Sequence, residues 1–391
     1  MSADSVKEIV DFCQGIFEDL DFTKAREWKD AEPGRKVIGY MPVYVPREII
    51  HAAGMLPLGI LGGGADLEVI HGDAFYQSYI CRIPRSTVEL AITGKLDFVD
   101  GMMFPSICDV MRNLSGIWQL LFKDKYVRYF DVPQNFKDEV GGVFYANELR
   151  ELKEGLEKLG GREITEEALR HSVEVYNENR QWVNKVYDYR SATPWKAPSV
   201  EVYLLMRAGM VLPPEEHTQL MKDYLAAADR EDRPMRDNCR IALTGAFCEQ
   251  PPLNLIKSLE LSGCYIVDDD FMLVTRWLLE DVPTDGDPIE NLSKAFLHHS
   301  AETAAKFEDT VEGKGSYLLE TIRKRRADGV IFAAPSFCDP ALLDQPMLVS
   351  RLEAHKIPYI TMQYAENSGQ MQPIREQSGT FADSIKLWSV A

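Results

Sequence analysis

Apolar, β-branched and aromatic residues gather along this chain in short runs, separated by longer stretches in which apolar positions recur with helical spacing. The runs from Lys36 to Met41, Pro57 to Leu61, Phe98 to Phe104 and Tyr126 to Val132 predict strands of a mostly parallel sheet. The same signature returns at Arg240 to Ala246, Tyr265 to Val267, Gly329 to Ala334 and Pro358 to Gln363, and predicts a second parallel sheet. Between the two sets a long helix is expected from Thr165, the N-cap, with Glu166 and Glu167 in its first turn. Leu169, Val173, Tyr176 and Val183 share one face of it, a single buried stripe. Pro213-Pro214 is the expected entry to a charged helical stretch that continues from Glu215 to Arg236. The pattern therefore predicts an α/β chain with an N-terminal domain at 1–160, a helical connector at 161–236 and a C-terminal domain at 237–391.

Composition narrows the function. The 391 residues carry 43 basic and 61 acidic side chains, a formal charge of -18, and no Lys/Arg run dense enough to track a phosphate backbone. Nucleic-acid binding is excluded on that ground. Met1 to Asp11 is polar rather than a basic segment followed by an apolar one, and no window of about 18 apolar residues exists, so a cytoplasmic chain is expected. Gly62-Gly63-Gly64 follows a strand without extending to G-x-G-x-x-G, and reads first as a tight turn. No phosphate-binding loop of the G-x-x-x-x-G-K-[ST] type occurs, so any ATP in the chemistry belongs on another subunit. The seven histidines lack metal-ligand spacing; His298 and His299, adjacent on a helical segment, point to different faces.

Seven cysteines, an odd number scattered through the chain, imply no disulfide framework. Two of them have matching contexts. Pro105-Ser106-Ile107-Cys108-Asp109 and Pro335-Ser336-Phe337-Cys338-Asp339 each follow a predicted strand and precede a predicted helix. Asp339 as N-cap and Pro340 at the first helical position make a common helix entry. Ligands gather beyond the carboxyl ends of strands in open parallel sheets, and the start of a helix favours a thiolate. Cys81 is a third candidate, followed by the cations Arg82 and Arg85. Three dispersed thiolates, without a tight C-x-x-C pattern, suit a cubane with three cysteine-bound irons and one iron left open. Cys248 is the rival, since it too follows a strand, whereas Cys13, Cys239 and Cys264 read as buried structural thiols. On the residues alone, a fold with no cluster and every cysteine buried stays open.

Cys81, Cys108-Asp109 and Phe337-Cys338-Asp339-Pro340, with Val45 to Ile50 and His51-Ala52-Ala53-Gly54, resemble the benzoyl-CoA reductase and 2-hydroxyacyl-CoA dehydratase family. Within it the chain is most similar to the C-type, or gamma, subunits of the ATP-dependent class I reductases, over nearly its whole length. The resemblance implies two Rossmann-like α/β domains and an iron-sulfur cluster, of [4Fe-4S] type or part of a larger shared assembly, held by Cys81, Cys108 and Cys338. It further implies a homologous cluster-bearing partner subunit, ATP-hydrolysing activator subunits, ferredoxin as electron donor and an acyl-CoA substrate. The implied activity is reduction of the aromatic ring of benzoyl-CoA to a cyclohexadienoyl-CoA. A 2-hydroxyacyl-CoA dehydratase subunit is the alternative, as is a non-catalytic electron-relay or structural subunit. Ile374 to Phe381 departs from the Arg-Ile-Glu-Ala-Phe-like run of many dehydratase-side members, which favours the reductase. His51, Asp109 and Asp339 are candidate proton donors beside the ligands.

Overall fold

The computed structural model describes residues 5–64, 67–245, 251–306, 313–365 and 371–388. The first half runs α1 (Val6–Glu18), α2 (Thr23–Asp30), β1 (Val37–Tyr40), α3 (Arg47–Ala52), β2 (Leu56–Gly59), α4 (Arg82–Ile92), β3 (Gly101–Pro105), α5 (Asp109–Leu121) and β4 (Tyr126–Phe130). Helices α6 (Val143–Gly160), α7 (Glu166–Ala192), α8 (Ser199–Ala208) and α9 (Pro214–Arg230) follow. The second half runs β5 (Cys239–Thr244), α10 (Leu253–Leu261), β6 (Cys264–Asp269), α11 (Leu273–Arg276), α12 (Pro288–His299), α13 (Ser316–Arg325), β7 (Gly329–Pro335), α14 (Asp339–Ala354), β8 (Tyr359–Tyr364) and α15 (Met371–Trp388).

Every predicted strand is present. The two sheets are parallel throughout and share one topology: β2-β1-β3-β4 in the first, β6-β5-β7-β8 in the second. The apolar runs end up as strands because both faces of β1, β2, β3 and β7 are fully covered, so no polar alternation is required of them. Parallel pairing also demands helical crossovers, which is why helical spacing fills the stretches between the runs. Two Rossmann-like halves are the result.

The connector forms as its signals indicate. The Thr165 hydroxyl accepts the Ala168 N–H at 3.1 Å and opens α7, and Pro214 is the first residue of α9 after the cap residue Pro213. That second helix stops at Arg230, short of the expected Arg236, and residues 231–238 run irregularly to the start of β5. One cause is local. Arg233 reaches back to Glu201 of α8 at 2.9 Å and to the Lys196 carbonyl at 3.1 Å, bonds that draw the chain off the helix axis.

One contact fixes the halves to each other, and a second ties the connector to the C-terminal half. Tyr44, just after β1, meets Trp277 and Phe296 edge-on at 5.7 and 5.3 Å, and Phe296 continues to Tyr145 and Phe130. Deeper, Arg190 at the end of α7 pairs with Asp269 at 2.6 Å while Arg325 of α13 and Arg276 of α11 both reach Asp268. Burial alone would raise the Asp268 carboxyl, but Arg276, Arg325 and Arg190 hold it below its ordinary value.

Candidate metal centre

The two halves build the same turn after their third strand. Pro105 is in register with Phe130 and Pro335 with Tyr364, the last residues of β4 and β8. One residue later, the Ser106 N–H donates to the Phe130 carbonyl at 2.9 Å, and the Ser336 N–H to the Tyr364 carbonyl at 2.7 Å. Each turn then delivers a cysteine to the cap position of the next helix, Cys108 before α5 and Cys338 before α14. Asp339 is thus the first residue of α14 rather than its expected cap, and Pro340 stands one position further in. Both cysteines lie beside the point where the strand order reverses, the place where open parallel sheets leave a crevice.

Cys81 arrives from a different direction, at the cap position of α4 after the long segment that follows β2. The triple glycine opens that segment as a turn, and at Gly62 (φ 75°) a Cβ would lie 2.3 Å from the Ser86 hydroxyl. Glu89 of α4 anchors the segment from inside. Its carboxylate, 3% exposed, accepts the N–H groups of Ile70, His71 and Gly72 at 2.6 to 2.9 Å and the His71 ring at 2.9 Å. Burial works against its charge, and these donors more than offset that, lowering its pKa. Arg82 donates to the Leu67 carbonyl and Arg85 pairs with Asp73 at 3.0 Å, so both arginines brace this segment instead of serving only to charge Cys81.

Cys108 and Cys338 stand close enough for their charges to interact, and Tyr76 senses both Cys81 and Cys108. Tyr76 thus links Cys81 to the pair formed by Cys108 and Cys338. Burial is the largest influence on Cys108 and pushes its thiol up to about 11, although the Val110 and Met111 N–H groups at the start of α5 pull the other way. The expected preference for thiolate at this helix start is thus outweighed in the protein alone, and a bound cation would have to displace the proton. The Tyr76 hydroxyl is buried, and among the described residues it has no hydrogen-bond partner. Its pKa is raised, first by burial and then by Cys81 and Cys108.

Among the described residues no three His, Cys, Asp or Glu side chains converge as ligands of a single ion. Three thiols on separate helix starts, together with an orphaned buried hydroxyl, fit a polynuclear iron-sulfur group better than one ion: such a group spans wider-set sulfurs and offers an acceptor to the hydroxyl. Beside Cys108 a cavity of about 890 Å³ opens between the halves. Asp109, Arg112 and Tyr129 line it from the first half, Lys314, Asp339 and Leu343 from the second.

Asp109 and Asp339 are thus placed as expected, exposed at this cleft. His51 is not. It borders a separate cavity with Lys36 and Leu56, at the amino ends of β1 and β2, where it contacts Ser172 at 2.8 Å and Glu215 at 3.2 Å. The short α3 carries it from the carboxyl end of β1 back to the amino end of β2. Cys13 is buried in α1; Cys239 and Cys264 are register partners on β5 and β6, with sulfurs 3.7 Å apart. None of the described cysteines is in a disulfide, and Cys248 lies outside the described residues. His298 and His299 do diverge, to Asp138 and Glu280. Tyr76 was missed from sequence, where its only signal is a place five residues before Cys81.

The family model for the D-component of 2-hydroxyglutaryl-CoA dehydratase matches residues 42–385. The C-type subunit of benzoyl-CoA reductase from Thauera aromatica is 69% identical over 98% of this chain and 100% of its own length. The (R)-phenyllactyl-CoA dehydratase beta subunit of Clostridium sporogenes is 27% identical, over 90% of this chain and 93% of that one. The beta subunit of (R)-2-hydroxyglutaryl-CoA dehydratase from Acidaminococcus fermentans is 26% identical over the same shares.

Proposed function

The chain belongs to the 2-hydroxyglutaryl-CoA dehydratase D-component family, and from that premise we propose that it is the iron-sulfur subunit of an ATP-coupled benzoyl-CoA reductase complex. The observation that carries this reading is the 69% identity, along almost the entire chain, to a C-type subunit of benzoyl-CoA reductase. Cys81, Cys108 and Cys338 would hold the cluster, of [4Fe-4S] type, in the cleft between an N-terminal domain at 1–160 and a C-terminal domain at 237–391, joined by the connector at 161–236. When bound, that group supplies single low-potential electrons for reduction of the benzoyl-CoA ring to a cyclohexadienoyl-CoA.

The protein's own residues provide the setting for such chemistry. The buried strand ends around Phe104, Pro105, Ala334 and Pro335 exclude water behind the thiols, and low solvent access is one determinant of cluster potential. Asp109 and Asp339, exposed at the cleft, are placed to exchange protons with solvent. In this reading ATP hydrolysis falls to separate activator subunits, ferredoxin is the donor and a homologous cluster-bearing subunit is the partner; the lack of a phosphate-binding loop motif in this chain supports it. Phe337, Leu343 and Met347 remain exposed around the start of α14, an apolar surface suited to that partner. No helix among the described residues is long and apolar enough to cross a membrane.

A second reading, a 2-hydroxyacyl-CoA dehydratase subunit, draws on the beta subunits at 26 and 27% identity. The two reactions differ in their electron balance: a ring reductase leaves two electrons in each product, whereas a dehydratase recovers its electron after expelling hydroxide. With the assembled complex, benzoyl-CoA, ATP and a low-potential donor, donor oxidation in proportion to product is expected, with ATP hydrolysed throughout. Indifference to benzoyl-CoA, with many dehydrations of a 2-hydroxyacyl-CoA after a single reductive activation, would replace the first reading by the second.

A further inference from the structure

Tyr76 presents a problem that the described residues do not solve. Its hydroxyl is shut away from solvent and has no hydrogen-bond partner among the described residues, and a buried hydroxyl without a partner is destabilising. The ring cannot simply swing outward at no cost, because it packs against the main core. The segment that carries it is also held, through Glu89 on the turn at Ile70 to Gly72 and through Arg85 on Asp73. Its charged or chargeable neighbours are Cys81 and Cys108, two of the three residues assigned to the cluster. A phenol is a hydrogen-bond donor at neutral pH, and an anionic acceptor forms the stronger bond.

We propose that Tyr76 donates its phenolic O–H to a sulfur of the iron-sulfur cluster at Cys81 and Cys108, and so sets the reduction potential of that cluster. The inference rests on the cluster assignment made above. Reduction adds one electron, and therefore negative charge, to the sulfurs, so a donor aimed at them favours the reduced state. Tyr76 thus makes the centre easier to reduce and brings it within reach of its electron donor. It does so without supplying a ligand and without entering the reaction with the acyl-CoA.

The test uses the full chain, reconstituted anaerobically with ferrous iron and sulfide, and an EPR-monitored redox titration. Tyr76→Phe keeps the ring and removes the donor. Iron content should equal that of the unaltered protein, while the ratio of reduced to oxidised cluster at a given potential falls about tenfold, equivalent to a midpoint about 59 mV more negative for one electron. Replacing Tyr76 by 3-fluorotyrosine retains the hydroxyl as a stronger donor, and should move the midpoint in the opposite direction. A purely structural role would not produce opposite shifts. Unchanged midpoints in both proteins at full iron occupancy would overturn the proposal while leaving the cluster assignment intact. If Tyr76→Phe fails to retain iron, the fluorotyrosine protein decides alone. Failure of the unaltered chain to take up iron and sulfide would instead overturn the cluster assignment, and this proposal with it.

Discussion

His217 should make the protein less stable as the solution turns mildly acidic. It is 2% exposed, with Nε2 facing the Leu205 carbonyl at 3.1 Å and Nδ1 facing the Asn179 side-chain amide at 3.1 Å. The neutral ring satisfies both partners, donating from Nε2 and accepting at Nδ1. A proton on Nδ1 would meet an amide donor inside the core. Burial is the main reason that its pKa falls from 6.5 to about 4. The unfolded chain therefore binds the proton first, so the full stability is present above the unfolded value and is lost as the pH falls from about 6.5 toward the folded one. At the limit the loss is about 3 kcal/mol, and between pH 7.5 and 5.5 it is about 1 kcal/mol. That window stays above the isoelectric point of about 4.9, where loss of net charge would confuse the result. The measurement is urea unfolding of the unaltered chain and of His217→Gln at both pH values. The difference in stability between the two proteins should change by about 1 kcal/mol over the window, with the unaltered chain losing more on acidification. Parallel pH profiles would refute the reasoning.

Other residues carry equally direct expectations. Arg190→Met leaves the Asp269 carboxylate buried without its cation and should cost about 3 to 5 kcal/mol in urea unfolding, much of it recovered when Asp269→Leu is added; a loss below about 1 kcal/mol would mean that the pair does not join the connector to the second sheet. Leu343→Asp, on the exposed side of α14, should leave the chain folded but weaken its co-purification with the homologous subunit, and undiminished assembly would place the interface elsewhere.

The sheets were legible because a strand in a covered parallel sheet leaves a local mark, an uninterrupted apolar run, and because helical crossovers leave another. The Thr165 cap and the Pro213-Pro214 entry were local too. Tertiary partners were not. The stop of α9 at Arg230 depends on Glu201 of another helix, and the burial of Arg190 depends on Asp269, far along the chain. Of the site, the matched turns at Cys108 and Cys338 could be read as a repeated segment of sequence. Their shared strand register, and the nearness of Tyr76 to Cys81 and Cys108, could not, since no periodicity ties residue 76 to residue 108. His51 shows the converse: the family-like run His51-Ala52-Ala53-Gly54 put it among the candidates, but one short helix is enough to carry it from the carboxyl end of β1 to the amino end of β2.

The central claim is that Cys81, Cys108 and Cys338 together hold an iron-sulfur cluster, and iron and acid-labile sulfide per chain in anaerobically prepared single alanine variants test it most directly. The account predicts that Cys81→Ala, Cys108→Ala and Cys338→Ala each lose most of the iron and sulfide, whereas Cys13→Ala, Cys239→Ala and Cys264→Ala retain both. Full occupancy in Cys108→Ala or Cys338→Ala, or loss of the cluster in Cys248→Ala alone, would contradict it.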